Sequence, residues 1–85
     1  MTQFLDLVRE ELEYARRKHP NPIDSVDEAA SIIRGEFEEF LAAAQRRDGN
    51  TLAMLAELAS VAAMCARASE DLRIVQPYEP PFTGK

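Results

Sequence analysis

The spacing of apolar positions along the chain predicts three helices joined by two short turns. In residues Gln3–Lys18, the apolar side chains of Phe4, Val8 and Leu12 recur at helical spacing. The segment His19-Pro20-Asn21-Pro22 follows, and its two prolines end the first helix because neither ring permits the helical hydrogen bond. The lone histidine of this turn is expected at the surface or as a helix cap rather than as a metal ligand.

The second helix is predicted to begin after Ser25 and to run to about Arg47. Ser25 and Glu28 have the spacing of a capping box, in which each side chain bonds to the backbone near the other residue. Residues 48–50 then break the helix, since Gly49 suits the left-handed conformation that follows many helix ends. Asn50 or Thr51 is the candidate N-cap of the next helix. Because this connection is so short, we expect the second and third helices to form a long antiparallel hairpin.

The third helix is predicted from Thr51 to about Arg73, and it is apolar on nearly every side. Between Thr51 and Ala66 the only carboxylate is that of Glu57. A helix of this kind must be covered all round, and two other short helices are too few to cover it. We therefore expect an all-α subunit that assembles into a homodimer or a tetramer. The large apolar stripe of the third helix comprises Met54, Leu58, Val61, Cys65 and Leu72.

The domain organisation predicted from these patterns is one helical domain, residues 1–73, followed by a short tail, residues 74–85. The tail contains three of the five prolines of the chain, at positions 77, 80 and 81. This content favours an extended arm over a fourth helix.

Composition narrows the classes of function. The chain of 85 residues has a formal net charge of −5, which argues against general binding to nucleic-acid phosphates. The single cysteine, Cys65, excludes an intrachain disulfide and fits a reducing, cytoplasmic setting. The amphipathic, acidic N-terminal segment does not have the pattern of a signal peptide. Residues 51–66 are short for a membrane span, and Glu57 would be costly there, so no membrane association is expected.

Acidic residues occupy matching positions on the second and third helices. Glu36 lies about 60° from the apolar stripe of its helix, and Glu57 has the same offset on the next one. Glu39 lies on the same side as Glu36, and Ser60 takes the corresponding place beside Glu57. In an antiparallel hairpin both pairs face one shared pocket.

This pairing points to a divalent cation. Carboxylates three residues apart on a helix repel one another, and Mg²⁺ removes the repulsion while it also binds substrate phosphates. The alternative is that Glu36 and Glu39 reach solvent or pair with arginines. The candidate arginines for such pairs are Arg34, Arg46 and Arg67.

These residues resemble the MazG-like, all-α nucleoside triphosphate pyrophosphohydrolases, whose pattern is E-x-x-E on one helix and E-x-x-D on the next. Here the pattern reads Glu36-Phe-Glu-Glu39 and then Glu57-Leu-Ala-Ser60. The flanking segments HPNPIDSVDEA and ELASVAAMCARASEDL are similar to a small phage and bacterial branch of that group. The resemblance covers roughly residues 19–72.

The resemblance implies a four-helix-bundle core built from two subunits, with Mg²⁺ held by Glu36, Glu39, Glu57 and position 60. A metal-activated water would attack between the α- and β-phosphates and release a nucleoside monophosphate and pyrophosphate. Ser60 departs from the family, which has Asp there, so activity is expected to be weakened, altered or absent. A non-catalytic dimerisation or nucleotide-binding module of the same fold is the alternative. The candidates for contact with substrate phosphates are Arg67, Arg16 and Lys18.

Overall fold

A computed structural model describes residues 2–46 and 49–74 of the chain. The described residues form three α-helices and no strand: α1 (Thr2–Lys18), α2 (Val26–Gln45) and α3 (Thr51–Asp71). The all-α prediction is confirmed. α1 begins one residue earlier than the spacing predicts, and α2 and α3 each end two residues earlier. The predicted extended arm lies, from residue 75 onward, outside the described residues.

The predicted helix-capping residues explain where α2 and α3 begin. The Ser25 hydroxyl accepts a 3.0 Å hydrogen bond from the backbone N–H of Glu28. The Glu28 carboxylate in turn accepts from the backbone N–H of Asp24 at 3.2 Å, one residue before the position usual for a capping box. At the start of α3 the Asn50 side chain accepts from the N–H of Ala53 at 3.0 Å. Gly49 has the left-handed conformation predicted for it, with φ of 68°.

The end of α3 is closed by a motif that the sequence did not suggest. Arg73 adopts a φ of 59°, a conformation usually left to glycine. Its N–H donates to the Glu70 carbonyl at 3.1 Å, and the N–H of Ile74 donates to the Ser69 carbonyl at 2.9 Å. This pair of bonds is the Schellman arrangement, which satisfies carbonyls that the helix leaves free.

α3 is the element on which the other two helices pack. α1 and α2 each contact α3, whereas no Cα atom of α1 lies within 8 Å of one in α2. The two outer helices are therefore separated by a cleft whose floor is α3. This separation gives the subunit a concave surface.

Small side chains form most of the buried face of α3. Ala59 and Ala63 are fully buried, and Met64 and Ala68 are nearly so. The large apolar stripe predicted for this helix coincides with that face only in part: Met54, Val61 and Leu72 are partly buried, whereas Leu58 is 42% exposed. Cys65 is also exposed. Alanine at the contacts allows the helix backbones to approach closely, which leaves several larger side chains outside.

A second cluster of buried apolar residues closes one end of the subunit. Ile23, at the end of the proline-containing turn, is 2% exposed and packs with Ala29 of α2 and Ala68 of α3. Ile32, Ile33 and Leu72 pack around this cluster. Ile23 therefore anchors the otherwise exposed turn between α1 and α2 to the core.

By length and composition alone, α3 meets the requirements of a membrane-crossing helix. It has 21 residues, a mean hydropathy of 1.4 over its most apolar window, and 28% of that window buried within the subunit. Much of its apolar surface thus remains uncovered by α1 and α2.

Candidate functional site

Glu36, Glu39 and Glu57 come together at one place on the α2–α3 contact. One carboxylate oxygen from each residue lies within 4.8 Å of the other two. Glu36 and Glu57 are half-buried, and Glu39 is exposed. The positions of the three glutamates on the predicted helices indicate this convergence, and the structure places all three predicted ligands in one cluster.

The cluster concentrates negative charge in a partly desolvated place. Burial raises the pKa of Glu36 above its usual range, and the charges of Glu39, Glu57 and Glu11 raise it further. Burial also raises the pKa of Glu57. The charge of Glu39, the hydrogen bond between Glu57 and Glu39, and the charge of Glu11 raise it further. Arg46 lowers the pKa of Glu57, although less strongly. The carboxylates are thus held together against their mutual repulsion.

Glu11 of α1 is a further acidic residue beside this cluster, and the sequence reasoning missed it. The hydroxyl of Ser60 donates a hydrogen bond to Glu11 Oε1 at 3.3 Å. The fourth predicted ligand, Ser60, is thereby joined to a carboxylate from another helix. The sequence did contain a signal for the place of Glu11. Glu11 lies four residues after Leu7 and three before Tyr14, so it shares a face of α1 with these two apolar residues.

The cleft between α1 and α2 adjoins the carboxylate cluster. Its volume is about 710 Å³, within the range of roughly 300–1,000 Å³ of sites for small organic ligands. Glu11, Glu36 and Ser60 line the cleft. Glu36 therefore belongs to both the cluster and the cleft, and it is the cluster carboxylate that a ligand in the cleft contacts directly.

Arg67, predicted to contact substrate phosphates, lines the cleft but is 4% exposed and engaged in holding the fold together. Its guanidinium donates to the backbone carbonyls of Ala15 at 3.5 Å, His19 at 2.5 Å and Asn21 at 2.9 Å. Its Nε also donates to Asp71 at 3.4 Å. These bonds fix the end of α1 and the following turn to α3.

Arg16, the second residue predicted to contact phosphates, is directed to the end of α3. It forms ion pairs with Glu70 at 2.6 Å and with Asp71 at 3.0 Å. Asp71 also accepts the backbone N–H of Ile23 at 2.9 Å. Burial raises the pKa of Asp71, but the Ile23 N–H and the two arginines outweigh burial, so that its pKa lies below its usual range.

Lys18, the third such residue, lines the cleft. Its ammonium lies 5.6 Å from the centroid of the Tyr14 ring, a cation–π distance. Within the described residues its ammonium forms no ion pair with a carboxylate. Of the three predicted basic residues, Lys18 is the one whose charge the structure leaves open to a ligand in the cleft.

The donor set fits a hard divalent cation. Mg²⁺ takes oxygen ligands at about 2.0–2.1 Å, so two ligands of one ion are at most about 4.2 Å apart, and the oxygens of these three carboxylates lie within 4.8 Å of one another. No histidine or cysteine belongs to this cluster, which disfavours softer metals.

Comparison with other proteins gives no identification, since no family model, curated protein or solved structure matches this chain.

Proposed function

We propose that this protein is a Mg²⁺-dependent nucleotide pyrophosphohydrolase of the MazG-like kind, which cleaves a nucleoside triphosphate to a monophosphate and pyrophosphate. The observation that carries the proposal is the convergence of Glu36, Glu39 and Glu57 within 4.8 Å, next to a cleft of about 710 Å³. Glu-rich helix faces are usually solvated, whereas here carboxylates from two helices meet in a half-buried place.

In this proposal Glu36, Glu39 and Glu57 hold Mg²⁺. A bound divalent cation supplies neutralisation of phosphate charge and makes a coordinated water more acidic. The protein positions the substrate through the cleft, because Glu36 and Ser60 lie on its wall. The half-buried setting of Glu36 and Glu57 strengthens electrostatic interactions there by reducing competition from water.

In this proposal Glu11 of α1 adds a further carboxylate beside the metal ligands. Its charge acts on both Glu36 and Glu57, and its Oε1 accepts a 3.3 Å hydrogen bond from the Ser60 hydroxyl. Glu11 is not one of the three carboxylates that meet within 4.8 Å, so it adds negative charge near the site rather than a fourth ligand in place of the family Asp.

The subunit arrangement proposed for this function is an antiparallel α2–α3 hairpin that pairs with a second copy in a four-helix core. The hydrogen bond between Ile23, before α2, and Asp71, at the end of α3, supports the antiparallel course. So does the proximity of Glu39, late in α2, to Glu57, early in α3. Uncovered apolar side chains support the pairing of subunits, since Phe37 is 48% and Leu52 is 73% exposed.

The test combines thermal melting with a product assay. Because a cation that binds only the folded state stabilises it, Mg²⁺ or Mn²⁺ at 100 times its Kd should add about 2.7 kcal/mol and raise Tm by roughly 10–20 °C. Release of pyrophosphate from a panel of nucleoside triphosphates then measures turnover. Glu57→Gln and Glu36→Gln should abolish the metal-dependent shift in Tm and the turnover together.

Glu38→Gln is the matched control, because it makes the same chemical change on an exposed residue of α2 that is outside the cluster. It should keep both the metal shift and the turnover of the wild type. A metal shift without pyrophosphate release from any nucleotide would favour the non-catalytic binding module. If neither metal nor nucleotide changes Tm, the proposed function is wrong and a purely structural role gains support.

A further inference from the structure

The cleft between α1 and α2 has two chemically different ends. Glu11, Glu36 and Ser60 lie at the end beside the carboxylate cluster. Toward the other end the wall is formed by Tyr14, by the turn that contains Pro20 and by Glu28 at the start of α2. Along α1 the backbone positions of Glu11 and Tyr14 are about one helical turn apart, since three residues of helix rise roughly 4.5 Å.

Tyr14 presents an aromatic surface to this cleft. The residue is 51% exposed although it lines a concave site, so much of its ring is available for contact. Ile32 of α2 adds an apolar surface to the same cleft. An aromatic ring with an apolar neighbour suits a flat, planar ligand group, because every nucleobase has a π-face that stacks on such a ring.

Lys18 adds a positive charge to the cleft wall beside Tyr14. Helical side chains lean toward the N-terminus, and the Lys18 ammonium accordingly lies back over Tyr14, 5.6 Å from the ring centroid. Arg67 contributes little charge to a ligand, because its guanidinium is bonded to three carbonyls and to Asp71. Lys18 thus places a positive charge beside any anionic group of a ligand that lies against Tyr14.

We propose that this cleft is a nucleoside pocket, in which the base of a bound nucleotide stacks on Tyr14 while Lys18 contacts the phosphates nearest the nucleoside. The inference rests on the proposed function, which brings the phosphates to Glu36, Glu39 and Glu57. It assigns the direction in which the substrate lies, with its base toward the turn at residues 19–21. It also assigns recognition of the base to α1, outside the acidic motif.

Tyrosine fluorescence tests this placement directly. The chain has no tryptophan and two tyrosines, so Tyr78→Phe leaves Tyr14 as the only fluorescent tyrosine. In that background, α,β-methylene nucleoside triphosphates with excess Mg²⁺ should quench the emission to a saturating level. Inorganic tripolyphosphate with Mg²⁺ should bind, as a rise in Tm, without quenching. N-acetyltyrosinamide at equal concentration corrects for light absorbed by the nucleotide.

Two substitutions separate base recognition from phosphate recognition. Tyr14→Ala should weaken binding of the nucleotide analogue about 5- to 150-fold, the cost of losing one base–aromatic stack, and leave tripolyphosphate binding unchanged. Lys18→Met should weaken both ligands by about tenfold. Tyr14→Phe keeps the ring and should keep the affinity. Arg17→Met, which removes a neighbouring exposed charge that does not line the cleft, should change neither ligand's affinity.

The outcomes distinguish this inference from the proposed function. If the analogue and tripolyphosphate both raise Tm but Tyr14 emission is unchanged, the nucleoside pocket is wrong and the metal site stands. The same holds if Tyr14→Ala weakens tripolyphosphate as much as the analogue. If Mg²⁺, tripolyphosphate and the analogue all leave Tm unchanged, the proposed function fails and the nucleoside pocket fails with it.

Discussion

At the scale of single residues, Glu57 is the side chain that most needs an explanation. It is the only acidic residue of α3 before Glu70, and the surrounding positions are apolar. A charged carboxylate in such a place requires partners, because desolvation is costly. The structure gives it the carboxylates of Glu36 and Glu39 as neighbours and Arg46 as a weaker positive influence. A bound cation would balance this excess of negative charge.

We predict a pH dependence of stability for the metal-free protein. The folded-state pKa values of Glu36 and Glu57 are raised, so the folded state binds more protons than the unfolded state between about pH 4.3 and those raised values. The free energy of unfolding should therefore fall as pH rises through this window. Urea titrations at a series of pH values, in EDTA, measure it.

Glu57→Gln should flatten this pH dependence and stabilise the metal-free protein at neutral pH, because it removes a charge from the cluster. Glu38→Gln should leave the pH dependence as it is in the wild type. Equal curves for wild type and Glu57→Gln would show that the cluster exerts no electrostatic strain on the fold.

Single residues also show which side-chain contacts a sequence pattern can predict and which it cannot. Helical spacing was enough to predict that Glu36, Glu39 and Glu57 meet, because it relates residues on two helices that a short connection joins. It could not reveal Glu11 or the role of Arg67. Their partners are about 50 positions away in sequence, and only the packing of α1 on α3 decides which of them come into contact.

At the scale of elements, local chemistry determines where the helices begin. Ser25 caps α2 and Asn50 caps α3, as the sequence suggests, because a side-chain oxygen satisfies an N–H that the helix leaves free. The end of α3 was not foreseen, since Arg73 occupies a left-handed position in which a glycine would have been the signal.

We predict that Gly49→Ala destabilises the connection between α2 and α3. A Cβ atom at this position would meet nothing within 4 Å, so the cost arises from the left-handed backbone alone. That conformation costs a non-glycine residue about 1–2 kcal/mol. Thermal or urea unfolding measures the loss.

Gly35→Ala is the matched control for this change. Gly35 lies within α2, and a Cβ there also meets nothing within 4 Å, but its backbone is helical. Alanine should therefore stabilise the subunit by about 1 kcal/mol. Destabilisation by Gly35→Ala would mean that another subunit packs closely against this part of α2.

At the scale of the whole molecule, the subunit leaves a coherent apolar surface on α2. Ile33, Phe37 and Leu41 lie at spacings of four residues, and all of them line one shallow depression. Leu41 is 38% exposed, in addition to the half-exposed Phe37. An exposed stripe of this kind is typical of a helix that packs against a partner. This surface is why we expect closed assembly, and two-fold dimers are the commonest form of it.

We predict that the protein is at least a dimer and that Phe37→Lys shifts it toward monomer. The wild-type Tm should rise with protein concentration, because association stabilises the folded state by mass action. Analytical ultracentrifugation measures both the mass and the effect of the substitution. Leu5→Lys, at a 55% exposed position of α1, should leave the assembly unchanged. A compact, stable wild-type monomer at micromolar concentration would contradict the prediction.

The bonds of Arg67 have a consequence for how the chain tolerates insertions. Surface connections usually accept extra residues at little cost, because their backbone is hydrated. Between α1 and α2, however, the carbonyls of His19 and Asn21 are bound to one buried guanidinium. An added residue would break at least one of these two hydrogen bonds inside the protein and would widen the cleft at the same time. This connection therefore acts as a spacer of set length, and its length fixes the gap between α1 and α2.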